Sequence, residues 1–396
     1  MRAREQTKVS EEGKIYSKTV KRHRRNQNHK SHKQKATTTK THTRMDDDDD
    51  DDDKHDKRRR QEKRAEQRRL ALILLTAVLF AFVWFLEHSE RDAFYVSLLP
   101  PPPGGGGGGG GGWKRYTVPA HDADNNCAID RYRIDELSLE KFNREYREKR
   151  PVVVSFREQN EDQDWKYFRE KLSSKENLLK MHGDKTITLS SANTFSYDKK
   201  DVKLKDYLDE NGIYLKPIRP HQRADKIWYW FGDNDHDGFG VFFPAFKRAS
   251  LIGKKYVPES ASVAYSFGVG GPLSGVPYHI HGPGWSESIY GRKKWFVSPP
   301  MFEPVFNGNE TAAKAAMRFK ANGNKARFKK TTINDIGRNN KKMKNKRGVD
   351  VDKYGNEKKV LTCVVDENEG IYFPDRWWHS TLNLDESVFI SSFVNF

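Results

Sequence analysis

The sequence predicts a mainly β domain with helices, built as a small barrel or sandwich and held behind a single membrane span. Three observations predict it: short β-type runs punctuated by Gly and Pro in the C-terminal half, an uncharged apolar run at 70–86, and charge concentrated outside the folded part. Short strands separated by turns are the pattern of small barrels and sandwiches. Of the formal net charge of +17, residues 1–69 carry +9 and residues 311–360 carry +12, so the remainder carries −4. A near-neutral folded part argues against a basic nucleic-acid-binding face. With only two cysteines, Cys127 and Cys363, the chain is neither a disulfide-rich mini-scaffold nor a cysteine-ligated zinc domain.

Residues 1–69 are rich in Lys, Arg, His, Thr, Gln and Asn, with an acidic run from Asp46 to Asp53. They offer little apolar surface to offset chain entropy and read as a disordered basic tail. The cluster Lys57-Arg58-Arg59-Arg60 would suit a nuclear signal or nucleic acid, but the next segment argues otherwise. Leu70–Leu86 holds 17 uncharged residues. As a helix it would reach about 26 Å, near the ~27 Å hydrocarbon thickness of the endoplasmic reticulum bilayer. A buried core helix is the alternative, yet the flanking tail and spacer leave it no core to join. Nine Lys or Arg lie in 54–69, and Arg91 is the only one in 87–112, so the tail is expected in the cytosol and the rest in the lumen. The run starts too far from Met1 for an ordinary signal peptide and reads as an uncleaved signal anchor; initiation at Met45 would weaken that reading.

Residues 87–120 form a linker in which Pro100–Pro103 is followed by Gly104–Gly112, semi-rigid and then flexible. The domain proper spans 121–396. Helix-like segments at Leu139–Lys149 and Gln163–Leu172 alternate with strands at Val152–Phe156 and Thr186–Leu189, and four later strand-like runs follow at 262–269, 288–297, 370–373 and 387–394. The Lys/Asn-rich stretch 311–360 lacks sustained apolar periodicity and reads as a solvated insertion, a surface loop in preference to a recognition site. Beside it, Asn309-Glu310-Thr311 is a glycosylation sequon, meaningful if the segment reaches the lumen.

The candidate chemistry lies in two segments. His279 and His281 are two apart, so on a strand both face one ion; alone, such a pair is weak evidence against surface or core histidines. In a strand starting near His379, residues His379, Thr381 and Asn383 share a face and put an imidazole, a hydroxyl and an amide into one interior.

Together with Tyr278-His279-Ile280-His281, the segments Ile289-Tyr290-Gly291-Arg292-Lys293-Lys294-Trp295, Ser298-Pro299-Pro300 and Tyr372-Phe373-Pro374 through Asn383 resemble the jumonji-C (JmjC) family of iron(II)- and 2-oxoglutarate-dependent oxygenases. Cys127-Ala128-Ile129-Asp130-Arg131, Ser191–Tyr197, Trp230–Asn234 and Tyr265–Val269 extend the likeness to its lumenal endoplasmic-reticulum subgroup, that of jumonji domain-containing protein eight. The resemblance covers about 125–396 apart from the insertion, and implies a double-stranded β-helix of the cupin type, with Fe(II) and 2-oxoglutarate as cofactors. By position, His279 and His379 match the first and last members of the His-x-Asp/Glu…His triad. Lys293 matches the cation for the distal carboxylate of 2-oxoglutarate and Asn383 the amide after the last ligand, with Thr381 and Tyr265 in the same pocket.

One position departs from the family: His281 stands where the triad has Asp or Glu. A third neutral imidazole changes the site's charge by about one unit and suits iron, zinc or copper. If 288–297 extends back as a regular strand, Glu287 and Lys293 share a face and Glu287 could supply the carboxylate; a bulge near Gly284 would turn it away. The implied activity is a lumenal protein hydroxylase, acting on a protein substrate; the alternative is an inactive binding or scaffold protein on the same fold. Histone demethylation is disfavoured, because the anchor holds the site away from chromatin. An oxidising lumen would permit Cys127 to pair with Cys363, and two separate buried thiols are the other reading.

Overall fold

The structure, a computed structural model, describes residues 65–67, 69, 110–116, 127–159, 162–218, 222–232, 242–329 and 343–395. The expected tail, the apolar run 70–86 and most of the linker lie outside the described residues. Among the described residues no helix is long and apolar enough to cross a membrane.

The first half of the domain supplies β1 (Arg131–Arg133), β2 (Val152–Ser155), β3 (Thr186–Ser191), β4 (Lys199–Lys203) and β5 (Trp228–Gly232), with short helices between them. The second half supplies β6 (Ser262–Gly270), β7 (Gly284–Tyr290), β8 (Lys293–Ser298), β9 (Met343–Lys344), β10 (Asp350–Val351), β11 (Leu361–Val365), β12 (Glu369–Phe373), β13 (Trp378–Asn383) and β14 (Ser387–Asn395). One sheet runs β1-β2-β12-β7-β14-β6-β5-β3-β4, and a smaller one runs β11-β8-β13. Residues 273–281 extend the smaller sheet beyond β13. Leu273 donates to Asn383 O at 2.7 Å, Thr381 donates to Val276 O at 3.0 Å, and His279 and His379 exchange both backbone bonds at 3.0 Å. From β6 to β14 the chain thus builds two facing four-stranded layers, β12-β7-β14-β6 and β11-β8-β13 with 273–281. That connectivity is consistent with a cupin-type double-stranded β-helix.

The period of two in these strands separates two cores. On β7, Trp285 and Ile289 face outward with Val388 and Ile390 of β14, against Phe142, Phe246, Ile252 and Tyr256 of the helical layer. Burying Leu-to-Trp-sized side chains stabilises by about 1.5–3 kcal/mol each. The opposite face lines the barrel, with Trp295, Val297, Ile371 and Phe373 at one end and Tyr229, Val276 and Phe389 at the other.

Three expectations are corrected. The run 288–297 is two strands joined by a tight turn at Gly291, whose φ is 71° and where a Cβ would sit 2.4 Å from Glu386 O. Part of the expected linker is docked on the domain: Trp113 is buried, its Nε1 donates to Ser173 O at 3.1 Å, Lys114 N donates to Glu386 Oε2 at 2.9 Å, and Tyr116 N donates to Asp385 Oδ1 at 2.8 Å. An apolar indole directly after nine glycines has more to gain from burial than from solvent. The insertion is also partly structured. Thr311 caps a helix Ala312–Ala321 by accepting from Lys314 N, and that helix lays Ala312, Ala313 and Phe319 on Phe296 and Leu382, the outer face of the smaller sheet.

A single methyl group tests the pairing of 273–281 with β13. A Cβ on Gly275 would lie 1.9 Å from Thr381 O, a backbone atom that cannot step aside. Gly275→Ala is expected to destabilise the domain by roughly 3 kcal/mol, read as a lower thermal midpoint. Gly282→Ala is the control, since its Cβ meets nothing within 4 Å.

Candidate metal centre

The barrel mouth brings His279, His281 and His379 together, with ligand atoms within 4.8 Å of one another. Two nitrogens bonded to one ion at ~2.1 Å are at most about 4.2 Å apart, so a small closure of the rings suffices. Ring centroids lie 4.2 Å apart for His279 and His379 and 4.5 Å for His281 and His379. Each Nδ1 faces a backbone carbonyl: His279 faces Pro277 O at 2.8 Å, His281 faces Gly282 O at 2.9 Å, and His379 faces Trp377 O at 2.7 Å. An Nδ1 proton donated to a carbonyl leaves Nε2 as a bare lone pair, and that is how metal-binding histidines are held.

This tautomer has a consequence at the centre of the cluster. His379 Nε2 and His281 Nε2 are 3.0 Å apart. Two lone pairs at that distance repel unless a proton or a metal cation lies between them. A proton is disfavoured: burial, then the charge of His281, pushes His279 down to about 4, and burial with its two histidine neighbours holds His379 well below the usual range. Three neutral imidazoles therefore fit a divalent transition metal, and no fourth ligand from His, Cys, Asp or Glu joins them among the described residues.

Deeper in the barrel, β8 and β13 pair in register, with Val297 opposite His379, Trp295 opposite Thr381 and Lys293 opposite Asn383. All six share the inner face. Lys293 is buried and has no carboxylate partner among the described residues; its Nζ lies 3.4 Å from Tyr229 Oη and 3.1 Å from the Phe389 ring centroid. Burial pushes its pKa well below the lysine range. Asn383 donates from Nδ2 to Ser274 Oγ at 2.9 Å while its buried Oδ1 finds no partner. The buried Lys293 amine, with no carboxylate beside it among the described residues, fits a small anion, whereas the orphaned Asn383 Oδ1, an acceptor, calls for a hydrogen-bond donor in the same interior.

Two expected site residues are elsewhere. Glu287 lies on the outer face of β7, where Ser250 Oγ donates to its Oε1 at 2.6 Å; the turn at Gly291 puts it and Lys293 in different sheets. Tyr265 also faces out, stacked on Phe243 at 5.6 Å, because Ser266 and Gly268 take the inward positions of β6. Conversely, Tyr229 went unread as a site residue although the alternation in Trp228-Tyr229-Trp230-Phe231 sends Tyr229 and Phe231 to one face. Away from the cluster, Cys127 and Cys363 form a disulfide with an S–S distance of 1.98 Å, and Asn309 is exposed.

The outward Glu287 makes a pH prediction. Burial raises its pKa to about 8, partly offset by the Ser250 hydrogen bond, and Oε2 has no partner. An acid whose folded pKa is raised contributes stability below its unfolded pKa near 4.5 and loses it as pH rises through 8. Glu287→Gln is therefore expected to be near-neutral at pH 4.5 and stabilising by roughly 4 kcal/mol at pH 8, with bound metal unchanged. Chemical denaturation at both pH values and metal analysis check it.

No protein-family model matches the chain. It is 33% identical to JmjC domain-containing protein 8 of Rattus norvegicus over 287 residues, 71% of this chain and 88% of that protein. The Homo sapiens protein of the same name is 35% identical over 275 residues, 68% of this chain and 85% of that one. Lysine-specific demethylase JMJ21 of Arabidopsis thaliana is 24% identical over 282 residues, which cover 68% of this chain and 26% of the demethylase.

Proposed function

The chain belongs to the JmjC-domain family, in the group of JmjC domain-containing protein 8, and from that membership we propose a protein hydroxylase of the endoplasmic reticulum lumen that uses Fe(II) and 2-oxoglutarate. The observation that carries this reading is the set of three imidazoles with Nδ1 tied to backbone carbonyls and Nε2 converging. His279, His281 and His379 would hold the iron. Bound iron and co-substrate would supply the dioxygen chemistry that no side chain can. Lys293 would hold the distal carboxylate of 2-oxoglutarate as a point charge, with Tyr229 Oη beside it as a donor. Trp295 and Phe373, stacked 5.8 Å apart and against His379, would keep water from the reacting side of the centre.

The test is succinate release from 2-oxoglutarate by the full-length protein loaded with Fe(II), against Zn(II)-loaded protein as control. Turnover above that control supports the enzyme. A folded, metal-loaded protein without turnover or 2-oxoglutarate binding selects the second reading, a binding or scaffold protein on the same barrel. Two observations favour that reading: among the described residues no carboxylate joins the histidines, and the Phe389 ring lies against the Lys293 ammonium. Demethylation, the activity in the name of the Arabidopsis relative, is set aside because the anchor reading removes the site from chromatin.

The lumenal location is supported by the apolar run, the charge asymmetry around it, the exposed sequon and the disulfide between residues 236 apart in sequence. Glycosidase-sensitive mass at Asn309, with the C-terminal domain protected from protease in sealed microsomes, is the expected result. A domain digested in intact vesicles overturns the orientation.

A further inference from the structure

Two aromatic side chains beside the sequon stand in solvent. Phe195 is 68% exposed and Tyr197 73%, and their rings stack on each other with centroids 5.1 Å apart and planes at 29°. The loop beneath them is firmly held. Thr194 N donates to Gly308 O at 3.0 Å, Thr194 Oγ1 donates to Tyr278 O at 3.3 Å, and Ser196 N donates to Asn193 O at 3.2 Å. Ser196 takes a φ of 49°, a left-handed conformation that a serine adopts only where its surroundings fix it. The chain therefore fixes a loop whose outcome is to present two rings to water, which apolar hydration opposes.

Across the Thr194–Gly308 bond lies Asn309. Its backbone is fixed on both sides, N–H to Asn307 Oδ1 at 3.0 Å and carbonyl accepting from Ala224 N at 3.1 Å, while the residue is exposed. Thr311 is buried as the cap of the following helix, so only Asn309 is left to carry a modification outward once the domain is folded.

We propose that Phe195 and Tyr197 are the platform on which the first N-acetylglucosamine of a glycan on Asn309 rests, an inference that depends on the lumenal reading above. The axial C–H bonds of a pyranose ring form an apolar face that lies flat on an aromatic ring, while its hydroxyls and acetamide stay in water. A half-apolar, flat ligand is what an exposed aromatic pair can cover without a groove. Attachment one residue beyond Gly308 makes the contact intramolecular, so a weak contact is populated. Thr194, directly before the platform, is bonded to the carbonyl of Tyr278, the residue before His279.

Full-length protein from a secretory-pathway host, carrying high-mannose glycan, tests this in three forms: intact, trimmed to a single N-acetylglucosamine, and fully deglycosylated. Trimming is expected to leave the thermal midpoint unchanged, and complete removal to lower it by about 2–3 °C. Phe195→Ala and Tyr197→Ala should lower the midpoint of the intact and trimmed forms and leave that of the deglycosylated form unmoved, a coupling read as a double-mutant cycle. Equal shifts with and without glycan overturn the platform while leaving the lumenal reading standing. Absence of any glycan on Asn309 overturns both.

Discussion

His379→Ala is expected to empty the metal site, taking purified protein from about one ion per chain to near none. His379 is the central member of the cluster, with its ring close to both other imidazoles and its Nε2 3.0 Å from that of His281. The two histidines left behind rarely retain a labile divalent ion at purification concentrations, and among the described residues no carboxylate belongs to their cluster. His279→Ala and His281→Ala should behave alike. Lys293→Ala separates the two halves of the barrel: metal content should hold, while 2-oxoglutarate binding weakens by about 10–100-fold, the range for losing one charge-assisted hydrogen bond. Metal analysis and titration calorimetry on the same samples read both. Metal lost from the Lys293 variant, or kept by all three histidine variants, would sink the assignment. His281→Asp, which restores the carboxylate of the family pattern, should raise turnover relative to wild type if the shorter side chain still reaches the ion.

Removing the disulfide is expected to have the second large effect. The Cys127–Cys363 bridge closes a loop of 236 residues, most of the domain. Chain-entropy arithmetic for a loop of that length gives about 5 kcal/mol of stabilisation, with measured values commonly 2–4. The bridge also holds the first described segment of the barrel against β11, where Ala128 N donates to Thr362 O at 2.8 Å. Replacing both cysteines with Ser should therefore lower the thermal midpoint by roughly 10 °C, and reductant should do the same to wild type. Cys363 pairs in register with Trp295, and Trp295 lies 5.8 Å from His379, so loosening is expected to reach the metal affinity as well. A midpoint unmoved by reductant would contradict a closed bridge.

The site was legible where a single strand carried it. Period-two alternation correctly grouped His379, Thr381 and Asn383, because β13 is regular from end to end. It failed at Glu287 because the strand ends at Tyr290, and the turn at Gly291–Arg292 depends on the close approach of Glu386 O, a residue 95 positions later. Tyr265 failed for a different reason: it was placed by resemblance, and a matched position does not say which face of the strand is inside. On β6 that is decided by the helix Phe242–Ala249, whose Phe243 and Phe246 cover one side. The convergence of three Nε2 atoms rests on carbonyls of Pro277, Gly282 and Trp377, backbone atoms about which side-chain identity is silent. Trp113 and Ala312–Ala321 were misread as spacer and loop, although the sequence holds a signal for each: an aromatic residue directly after nine glycines, and a run of helix formers behind a threonine.

The docked end of the spacer also decides how the domain bears load. A pull on the chain ahead of Gly110 meets the buried Trp113 indole first, then the Lys114–Glu386 and Tyr116–Asp385 hydrogen bonds, before any barrel strand is strained. The two acceptors lie in the turn after Asn383, whereas His379 sits near the opposite end of β13, roughly 13 Å away along the strand. Drag arriving through Gly110 would thus be taken up in shear at that end of the barrel, leaving the three imidazoles mechanically quiet.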